Sequence, residues 1–439
     1  MEQVLVIGAA RSGVAAAKLL RRQGFDVILT DMKEVPQKAE LEALGIRVAD
    51  GGHPEWLKEE DYAFVVKNPG IPYTAPLIRY FEEQQMPIYT EIETAYLQAP
   101  GYHYGAITGT DGKTTVTTLL EQMLKKKNES ARSAGNIGTP LSEIVLETGS
   151  QPIDVALELS NFQLLGTEKF RPDVAVVTNL APDHLDYMDS LESYYKSKMK
   201  IYANQRPEDW FIRNLDDPEI MKYAVNIPST VVDFSLKQKA DLYKDEESAW
   251  LYDTKLFDLK DLKIVGEFNQ GNAMMAAAMA YRLGVSLEDI QEVIRTFPGV
   301  EHRIEYVATT DNGVDIYNDT KATNTHAACA ALSAFPDRPV LLLCGGKDKH
   351  ISFMDLKQFD EGVRHCYSFG QTKDKFKDVF THQTSVETME EALDAALAEA
   401  KPGEVILLSP ACSSFDQFVN YEKRGEIFKD LVRERLKKG

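Results

Sequence analysis

The sequence predicts an α/β protein built mostly from parallel sheets. Short runs rich in β-branched residues recur along the chain, and each is followed by a turn and then by a stretch of helical periodicity, which is typical of strands joined by crossover helices. Polar residues or glycines follow these runs, and the carboxyl ends of parallel strands are where such sheets bind ligands. The predicted strands are residues 4–7, 27–30, 64–66, 106–108, 155–159, 174–178, 340–343 and 405–408.

The chain length of 439 residues is too great for one ordinary hydrophobic core and favours several domains. Turn-rich segments near residues 91–101 and 297–300 separate the predicted strands into blocks. We therefore expect three domains, at residues 1–93, 94–297 and 298–439.

Composition excludes several classes of protein. Hydrophobic residues at 44% and charged residues at 27% are ordinary for a globular protein. The net charge of −19 argues against binding to nucleic acid or to an acidic membrane surface. The first residues do not resemble a signal peptide, and no apolar run is long enough to span a membrane, so we expect a cytoplasmic protein. The four cysteines are widely spaced, which indicates neither a zinc site nor a disulfide framework.

The first predicted strand leads into residues 8–13, a glycine-containing turn that opens a helix, and Asp31 ends the next strand. This order resembles the dinucleotide-binding fingerprint, in which the acidic residue accepts a hydrogen bond from the ribose or the base of the nucleotide. Ala10 stands where the fingerprint has the glycine that lets a pyrophosphate approach closely. The first domain therefore favours a nucleotide other than NAD.

Residues 108–115 read Thr-Gly-Thr-Asp-Gly-Lys-Thr-Thr between a predicted strand and a predicted helix. Such a turn directs backbone N–H groups and the positive end of the helix at one point, which suits a polyphosphate. Lys113 would reach the terminal phosphates, and the hydroxyl of Thr114 would bind Mg²⁺. Ile107 stands where the general pattern has a glycine, so the loop is a tighter variant. The chain is predicted to use ATP or GTP.

Two candidate metal ligands follow neighbouring strands of the middle domain. Glu158 ends one predicted strand and His184 lies shortly after the next. A carboxylate and an imidazole beside a phosphate loop could hold Mg²⁺, although either residue taken singly is as often structural. Residues 195–200, which contain Lys198, have the pattern of a solvated helix face.

The third domain places packed polar residues after a predicted strand, at 318–324. Core packing does not account for them, and they suggest a site completed by domain closure. Lys349 and the hydroxyl of Ser413 or Ser414 follow two further strands and would suit a small carboxylate.

In this order, the motifs resemble those of the Mur ligases, the ATP-dependent amide ligases of peptidoglycan precursor synthesis. The resemblance covers essentially the whole chain, and it implies a Rossmann-like N-terminal domain for a uridine nucleotide, a central P-loop-type ATPase with a mostly parallel sheet, and a Rossmann-like C-terminal domain for the incoming amino acid. A compact enzyme of three domains could work as a monomer, which is the state we expect. The segments that carry it are residues 67–72, 109–114, 135–138, 158–163, 302–303, 318–324 and 409–425.

The resemblance implies two Mg²⁺ ions and a carbamylated Lys198, because carbamylation would turn that cation into an anionic ligand. Lys113, Lys198 and His184 would be the catalytic residues. The implied metal ligands are Thr114, Glu158, His184 and Lys198. The implied ATP contacts are Gly109, Thr110, Asp111, Gly112, Lys113, Thr114, Thr115, Asn272, Arg303 and Asp319.

The substrates implied are UDP-N-acetylmuramoyl-L-alanine and D-glutamate, joined through an acyl phosphate that ATP forms. Tyr421 and Asp111 replace a phenylalanine and an asparagine that are familiar at these positions of the family. For the UDP-linked substrate the implied residues are Arg11, Ser12, Asp31, Met32, Lys33, Gly70, Asn136, Ser160 and Gln163. For D-glutamate they are Lys321, Thr323, Lys349, Ser414 and Tyr421.

Alternatives remain open on the sequence alone. Within the family they are ligases that add L-alanine, a diamino acid or a dipeptide, and folyl-polyglutamate synthase. A nucleotide-binding dehydrogenase would use residues 8–13 for NAD, but it leaves the phosphate loop and the last third of the chain without a role. A non-catalytic nucleotide sensor is the third alternative, and the candidate metal ligands count against it.

Overall fold

The computed structural model describes residues 2–181, 190–349 and 352–438. Within these residues the strands form three sheets, and most neighbouring strands run parallel. The eight strands predicted from β-branched runs are present, as is the strand predicted before residue 318, so the predicted α/β class is confirmed. No helix of the described ranges has both the length and the apolar character needed to cross a membrane.

The first sheet is parallel throughout the described residues. Its strands are β1 (Gln3–Ile7), β2 (Asp26–Thr30), β3 (Arg47–Ala49), β4 (Phe64–Lys67) and β5 (Ile88–Tyr89), and the nearby helices are α1 (Arg11–Arg22), α2 (Lys38–Ala43), α3 (Pro76–Glu83) and α4 (Glu91–Gln98). The strand order is β3-β2-β1-β4-β5. Ile7 lies opposite both Thr30 and Lys67, so the polar residues that follow these strands share one edge of the sheet.

Both faces of this sheet are buried, as the near-continuous apolar strands predict. In β1 the side chains of Val4 and Val6 pack in one hydrophobic cluster with residues of α1 and α2. Those of Leu5 and Ile7 pack in a second cluster with residues of α3. The alternation along the strand therefore fixes which helices cover each face.

The second sheet carries the phosphate loop. Its strands are β6 (His103–Thr108), β7 (Arg132–Gly135), β8 (Asp154–Glu158), β9 (Val174–Val177), β10 (Trp210–Asn214), β11 (Thr230–Ser235), β12 (Leu242–Lys244), β13 (Ser248–Leu251) and β14 (Thr254–Asp258). The helices are α5 (Lys113–Lys127), α6 (Leu141–Thr148), α7 (Asn161–Leu165), α8 (Leu191–Met199), α9 (Pro218–Tyr223), α10 (Glu267–Arg282) and α11 (Leu287–Thr296). The order is β14-β13-β12-β11-β10-β9-β6-β8-β7, and β12 to β14 form an antiparallel extension. The loop strand β6 lies between β9 and β8, so the ends of three strands meet around it.

The third sheet has the order β15-β16-β20-β17-β18-β19 and is parallel except for the β15–β16 pair. Its strands are β15 (Glu305–Thr309), β16 (Asp315–Asn318), β17 (Val340–Gly345), β18 (Val363–Phe369), β19 (Gln383–Ser385) and β20 (Val405–Leu408). The helices are α12 (Thr325–Leu332), α13 (Met389–Glu399) and α14 (Tyr421–Lys438).

The contacts divide the chain into two compact units. One consists of Met1–Leu259 with Gly271–Val293, and the other of Lys260–Gln270 with Ile294–Gly439. The first unit contains the first two sheets, and the second unit contains the third. The division into three domains at residues 93 and 297 stays a prediction.

Within the first unit, α1 and α4 tie the first sheet to the second. Arg22 donates to the carbonyl oxygens of Val145 and Leu146 at 2.7 and 2.6 Å. Glu91, at the start of α4, accepts a hydrogen bond from the backbone N–H of Ser142. Glu91 is almost completely buried at 3% exposure, and this burial raises the pKa of its carboxyl to about 7.

We expect Glu91→Gln to remove a pH dependence of stability. The pKa of Glu91 is higher in the folded chain than its ordinary 4.5, so the folded state binds the proton more tightly. The free energy of unfolding therefore falls by about 3 kcal/mol as the pH rises from about 4.5 to about 7, because the folded chain must then lose this proton. Urea unfolding of the wild type and the variant at pH 5 and pH 8 measures the difference. Glu147→Gln, an exposed change in the neighbouring α6, is the control; an equal pH dependence in the Glu91→Gln variant and the wild type would contradict the prediction.

Candidate active site

The phosphate loop, residues 109–114, joins the end of β6 to the first turn of α5. Gly109 and Gly112 have φ angles of +143° and +78°, which favour glycine. A Cβ added at Gly109 would lie 1.9 Å from Oγ1 of Thr178, and one at Gly112 would lie 2.5 Å from Oδ1 of Asn272. Both glycines are required because neighbouring side chains approach the loop closely. The predicted ATP contact Asn272 therefore lies at the loop, as do Thr114 and Thr115 in the first turn of α5.

Two lysines converge on the carbonyl oxygen of Gly109. Lys113 donates to it at 3.0 Å and to the Thr110 carbonyl at 2.6 Å. Lys198, from α8, donates to the same Gly109 oxygen at 2.8 Å, and its Nζ lies 4.6 Å from the centre of the Tyr194 ring. Lys198 is only 2% exposed. The solvated-face interpretation is therefore wrong for this residue.

Glu158 is the best-placed candidate metal ligand among the described residues. It ends β8 opposite Ile107 of the loop strand and is 1% exposed. Its Oε1 accepts a hydrogen bond from Asn136 at 2.9 Å, whereas Oε2 is buried and has no hydrogen-bond partner in the described structure. A buried carboxylate oxygen without a partner is costly, and oxygen is the ligand that Mg²⁺ prefers. The residues present therefore fit a magnesium ion.

The other candidate metal ligands differ in how far the structure describes them. His184 lies outside the described residues. In the described ranges no group of three or more His, Cys, Asp and Glu side chains could hold a metal ion. The roles of Thr114 and Lys198 as metal ligands stay predictions.

A cavity of about 350 Å³ lies in front of these groups in the first unit. It brings together the predicted residues Gly70, Lys113, Asn136, Ser160 and Lys198. Sequence reasoning missed the aromatic part of the wall. Phe162 lies four residues after Glu158, and Tyr194 lies about one helical turn before Lys198. The complete wall consists of Pro69, Gly70, Lys113, Asn136, Ser160, Asn161, Phe162, Tyr194 and Lys198.

Ser160 and Gln163 form a capping box at the start of α7. The Ser160 hydroxyl accepts from the Gln163 backbone N–H at 3.2 Å, and Gln163 Oε1 accepts from the Ser160 backbone N–H at 2.9 Å. Both predicted substrate residues therefore have a structural role, which fixes the direction of the Ser160 side chain at the cavity.

Hydrogen bonds from the segment after β9 hold the phosphate loop in place. Asn179 Oδ1 accepts from the backbone N–H groups of Asp111 and Thr110 at 2.8 and 3.2 Å. Thr178 donates to the Asp111 carbonyl at 2.5 Å. Thr110 exchanges hydrogen bonds between its hydroxyl and the backbone of Ala181, at 3.0 and 3.1 Å. The position of the loop therefore depends on this segment.

The residues predicted to face the nucleotide lie at the shared edge of the first sheet. Asp31 accepts from the backbone N–H groups of Ala9 and Lys33 at 2.6 and 2.9 Å, so its carboxylate already organises both turns. Met32 is 66% exposed, which leaves its side chain available for a ligand. Arg11 instead forms an ion pair with Glu143 of α6 at 2.9 Å.

In the second unit, four of the residues predicted to bind D-glutamate lie close to one another in two pairs. Lys349 donates to the carbonyl oxygen of Thr323 at 3.3 Å. The Nζ of Lys321 lies 6.0 Å from the centre of the Tyr421 ring. Ser414 is 1% exposed and lies at the buried end of the loop that precedes α14.

Asp319 and Arg424 are buried charges in the same unit. Asp319 accepts from the Ser409 hydroxyl at 2.7 Å, and burial raises the pKa of its carboxyl to about 7. Arg424, which sequence reasoning missed, donates to the Thr320 hydroxyl at 2.8 Å and to the carbonyl oxygen of Cys412 at 3.0 Å. It therefore connects the loop after β16 with the loop after β20. Its place inside the 409–425 motif was the signal available in the sequence.

Comparison with known proteins identifies a family to which this chain is similar. The model of the Mur ligase middle domain matches residues 107–280, and that of the Mur ligase glutamate ligase domain matches residues 302–412. A UDP-N-acetylmuramoylalanine–D-glutamate ligase of Geobacillus kaustophilus is 42% identical, over 98% of this chain and 97% of that protein. A ligase of the same name from Bacillus subtilis is 38% identical over the same fractions.

Solved structures agree on the fold. MurF from Acinetobacter baumannii has a TM-score of 0.59 at 16% identity, covering 98% of this chain and 93% of its own. The UDP-N-acetylmuramate–alanine ligase MurC from Thermotoga maritima has a TM-score of 0.56 at 19% identity, covering 99% and 100%. With both domain models and full-length relatives in agreement, this chain belongs to the Mur ligase family.

Proposed function

We propose that this chain is an ATP-dependent amide ligase that joins D-glutamate to UDP-N-acetylmuramoyl-L-alanine in peptidoglycan precursor synthesis, releasing ADP and phosphate. The observation that carries the proposal is the 42% identity with a ligase of that name over nearly the whole length of both chains. We propose further that the enzyme works as a monomer.

The reaction needs an activated acyl group, because a carboxylate is a poor acyl donor whose leaving group would be an oxide. Transfer of the terminal phosphoryl group of ATP to the L-alanyl carboxylate gives an acyl phosphate, which the amine of D-glutamate then attacks. Lys113 would place its cation beside the transferring phosphoryl group, after leaving the two loop carbonyls that it now contacts. Positioning of the amine is then the main requirement of the second step.

Magnesium would neutralise charge on the phosphoryl group when bound. We propose that Thr114, Glu158, His184 and Lys198 hold two such ions. Glu158 supports this through its Oε2, which has no hydrogen-bond partner among the described residues. Lys198 supports it because its Nζ is buried beside the loop, and the neutral amine could add carbon dioxide and lose a proton to give a carbamate, whose oxygen atoms would be the ligands.

The remaining predicted residues would bind the two substrates. Gly70, Asn136 and Ser160 in the cavity wall, with Gln163 next to them, would hold the diphosphate and muramoyl part. The turns around Ser12 and around Asp31, Met32 and Lys33 would face the uridine. In the second unit, Lys321, Thr323, Lys349, Ser414 and Tyr421 would bind D-glutamate, and Arg303 and Asp319 would contact ATP.

Phosphate release from ATP tests the proposal. We expect release only when both UDP-N-acetylmuramoyl-L-alanine and D-glutamate are present. Release without an amino acid would contradict ligase activity, and reduction of NAD would favour the dehydrogenase alternative. A panel containing L-alanine, a diamino acid, a dipeptide and a folate substrate distinguishes the other members of the family, since a preference for any of them would replace D-glutamate.

We expect Asn179→Ala to weaken ATP binding selectively. The change removes the oxygen that accepts from two N–H groups of the phosphate loop. The loop then loses a positioning contact, and we expect the KM for ATP to rise about tenfold. The KM for D-glutamate should change by less than about twofold. Asn204→Ala is the matched control, because that amide bonds other backbone carbonyls. An unchanged KM for ATP would show that the loop does not depend on Asn179.

A further inference from the structure

Lys67 is a buried cation that the proposed mechanism does not use. It ends β4 and has no exposed surface. Its Nζ donates to the carbonyl oxygens of Ile71 and Asn68 at 2.6 and 3.2 Å and lies 4.6 Å from the centre of the Tyr73 ring. In the described parts of the chain no carboxylate forms an ion pair with it. Burial lowers the pKa of the Lys67 ammonium to about 8.

A buried ammonium without a counter-ion is costly, and an apolar side chain would fill the same space more cheaply. Packing therefore does not account for a lysine at this position. Carbonyl oxygens and an aromatic face satisfy its donors, but they carry no net negative charge. Among the residues that the structure describes, the positive charge of Lys67 is therefore left without compensation.

The loop that covers this charge also forms part of the cavity wall. Residues 68–72 turn over the ammonium, so two of their carbonyl oxygens point inward to Lys67. Asn68 holds the turn from the other side, accepting from the Gly70 N–H at 3.0 Å and donating to the Ser12 hydroxyl at 3.0 Å. Pro69 and Gly70 line the cavity. The same loop therefore contacts the Lys67 ammonium and forms part of the cavity wall.

We propose that Lys67 is a positioning residue for the anionic part of the UDP-linked substrate, fixing the 68–72 loop and placing a positive charge behind the cavity wall. The inference rests on the proposed function, which brings a diphosphate into that cavity. The attraction is stronger behind a buried wall than in water, since the effective dielectric constant is lower there. The diphosphate would supply the missing counter-charge.

Two substitutions separate the charge from the shape of the side chain. Lys67→Met nearly keeps the length and loses the charge and the donors, whereas Lys67→Gln is shorter but keeps N–H donors for the loop and loses the charge. For both variants we expect the KM and the calorimetric Kd for UDP-N-acetylmuramoyl-L-alanine to rise about tenfold. The kcat and the KM values for ATP and D-glutamate should change by less than about twofold.

Lys58→Met is the matched control, since Lys58 also lies over an aromatic ring, 5.5 Å from the centre of Tyr80, but at the surface. An unchanged Kd for the UDP-linked substrate in a folded variant overturns the inference, and so does an equal rise of all three KM values. Should Lys67→Met fail to fold, Lys67→Gln decides the question. Calorimetry on the wild type separates the two proposals: no binding of the UDP-linked substrate removes the proposed function, whereas equal binding by wild type and variants removes only the role of Lys67.

Discussion

Replacing Lys113 by methionine is expected to lower kcat by about a thousandfold or more. Methionine keeps the length and the packing of the side chain but removes the only cation that the first turn of α5 presents at the phosphate loop. That cation would stabilise the negative charge that develops as the phosphoryl group leaves ATP. Phosphate release at saturating concentrations of all three substrates measures the loss.

Lys125→Met is the control for Lys113, since it removes an exposed lysine from the other end of the same helix. We expect its activity to equal that of the wild type. A Lys113→Met variant with kcat within about tenfold of the wild type would contradict the role proposed for the phosphate loop.

Replacing Lys198 by alanine is expected to lower kcat by a similar factor, about a thousandfold. The proposed carbamate would supply anionic oxygen ligands for magnesium, and the variant would lack them. A small carboxylate such as acetate should restore part of the activity of Lys198→Ala, because it can enter the vacated space beside Tyr194 and supply oxygen ligands. Titration of the variant with acetate, followed by phosphate release, measures the rescue.

Lys198→Arg tests the opposite possibility, that the residue acts as a cation. Arginine keeps the positive charge and cannot form the carbamate, so we expect this variant to be as inactive as Lys198→Ala. Lys196→Ala, an exposed change two residues earlier in α8, should have no effect. An active Lys198→Arg variant, or no response of Lys198→Ala to acetate, would refute carbamylation.

The central parts of the fold could be predicted from the sequence because their signals are local. Strands such as 4–7 and 405–408 are continuous apolar runs, and each is buried on both faces in the structure. Many of the strands that were not predicted are short or polar. β3 has three residues and β5 has two, and the β12–β14 extension mixes charged and apolar positions. Such strands are specified by their partners in the sheet more than by their own composition.

The sequence by itself determined the α/β class, the phosphate loop and the candidate ligands at strand ends, since the order of strand, glycine turn and helix is written in neighbouring residues. Only the tertiary structure decided which distant groups meet. It buried Lys198 against Tyr194 and brought it to the carbonyl of Gly109, 89 positions earlier in the chain. Within the described ranges it also left Glu158 with an unpartnered oxygen and Lys67 without a counter-ion. Sheet order and helix packing set these distances and the loss of water around each charge, and no local pattern of residues contains them.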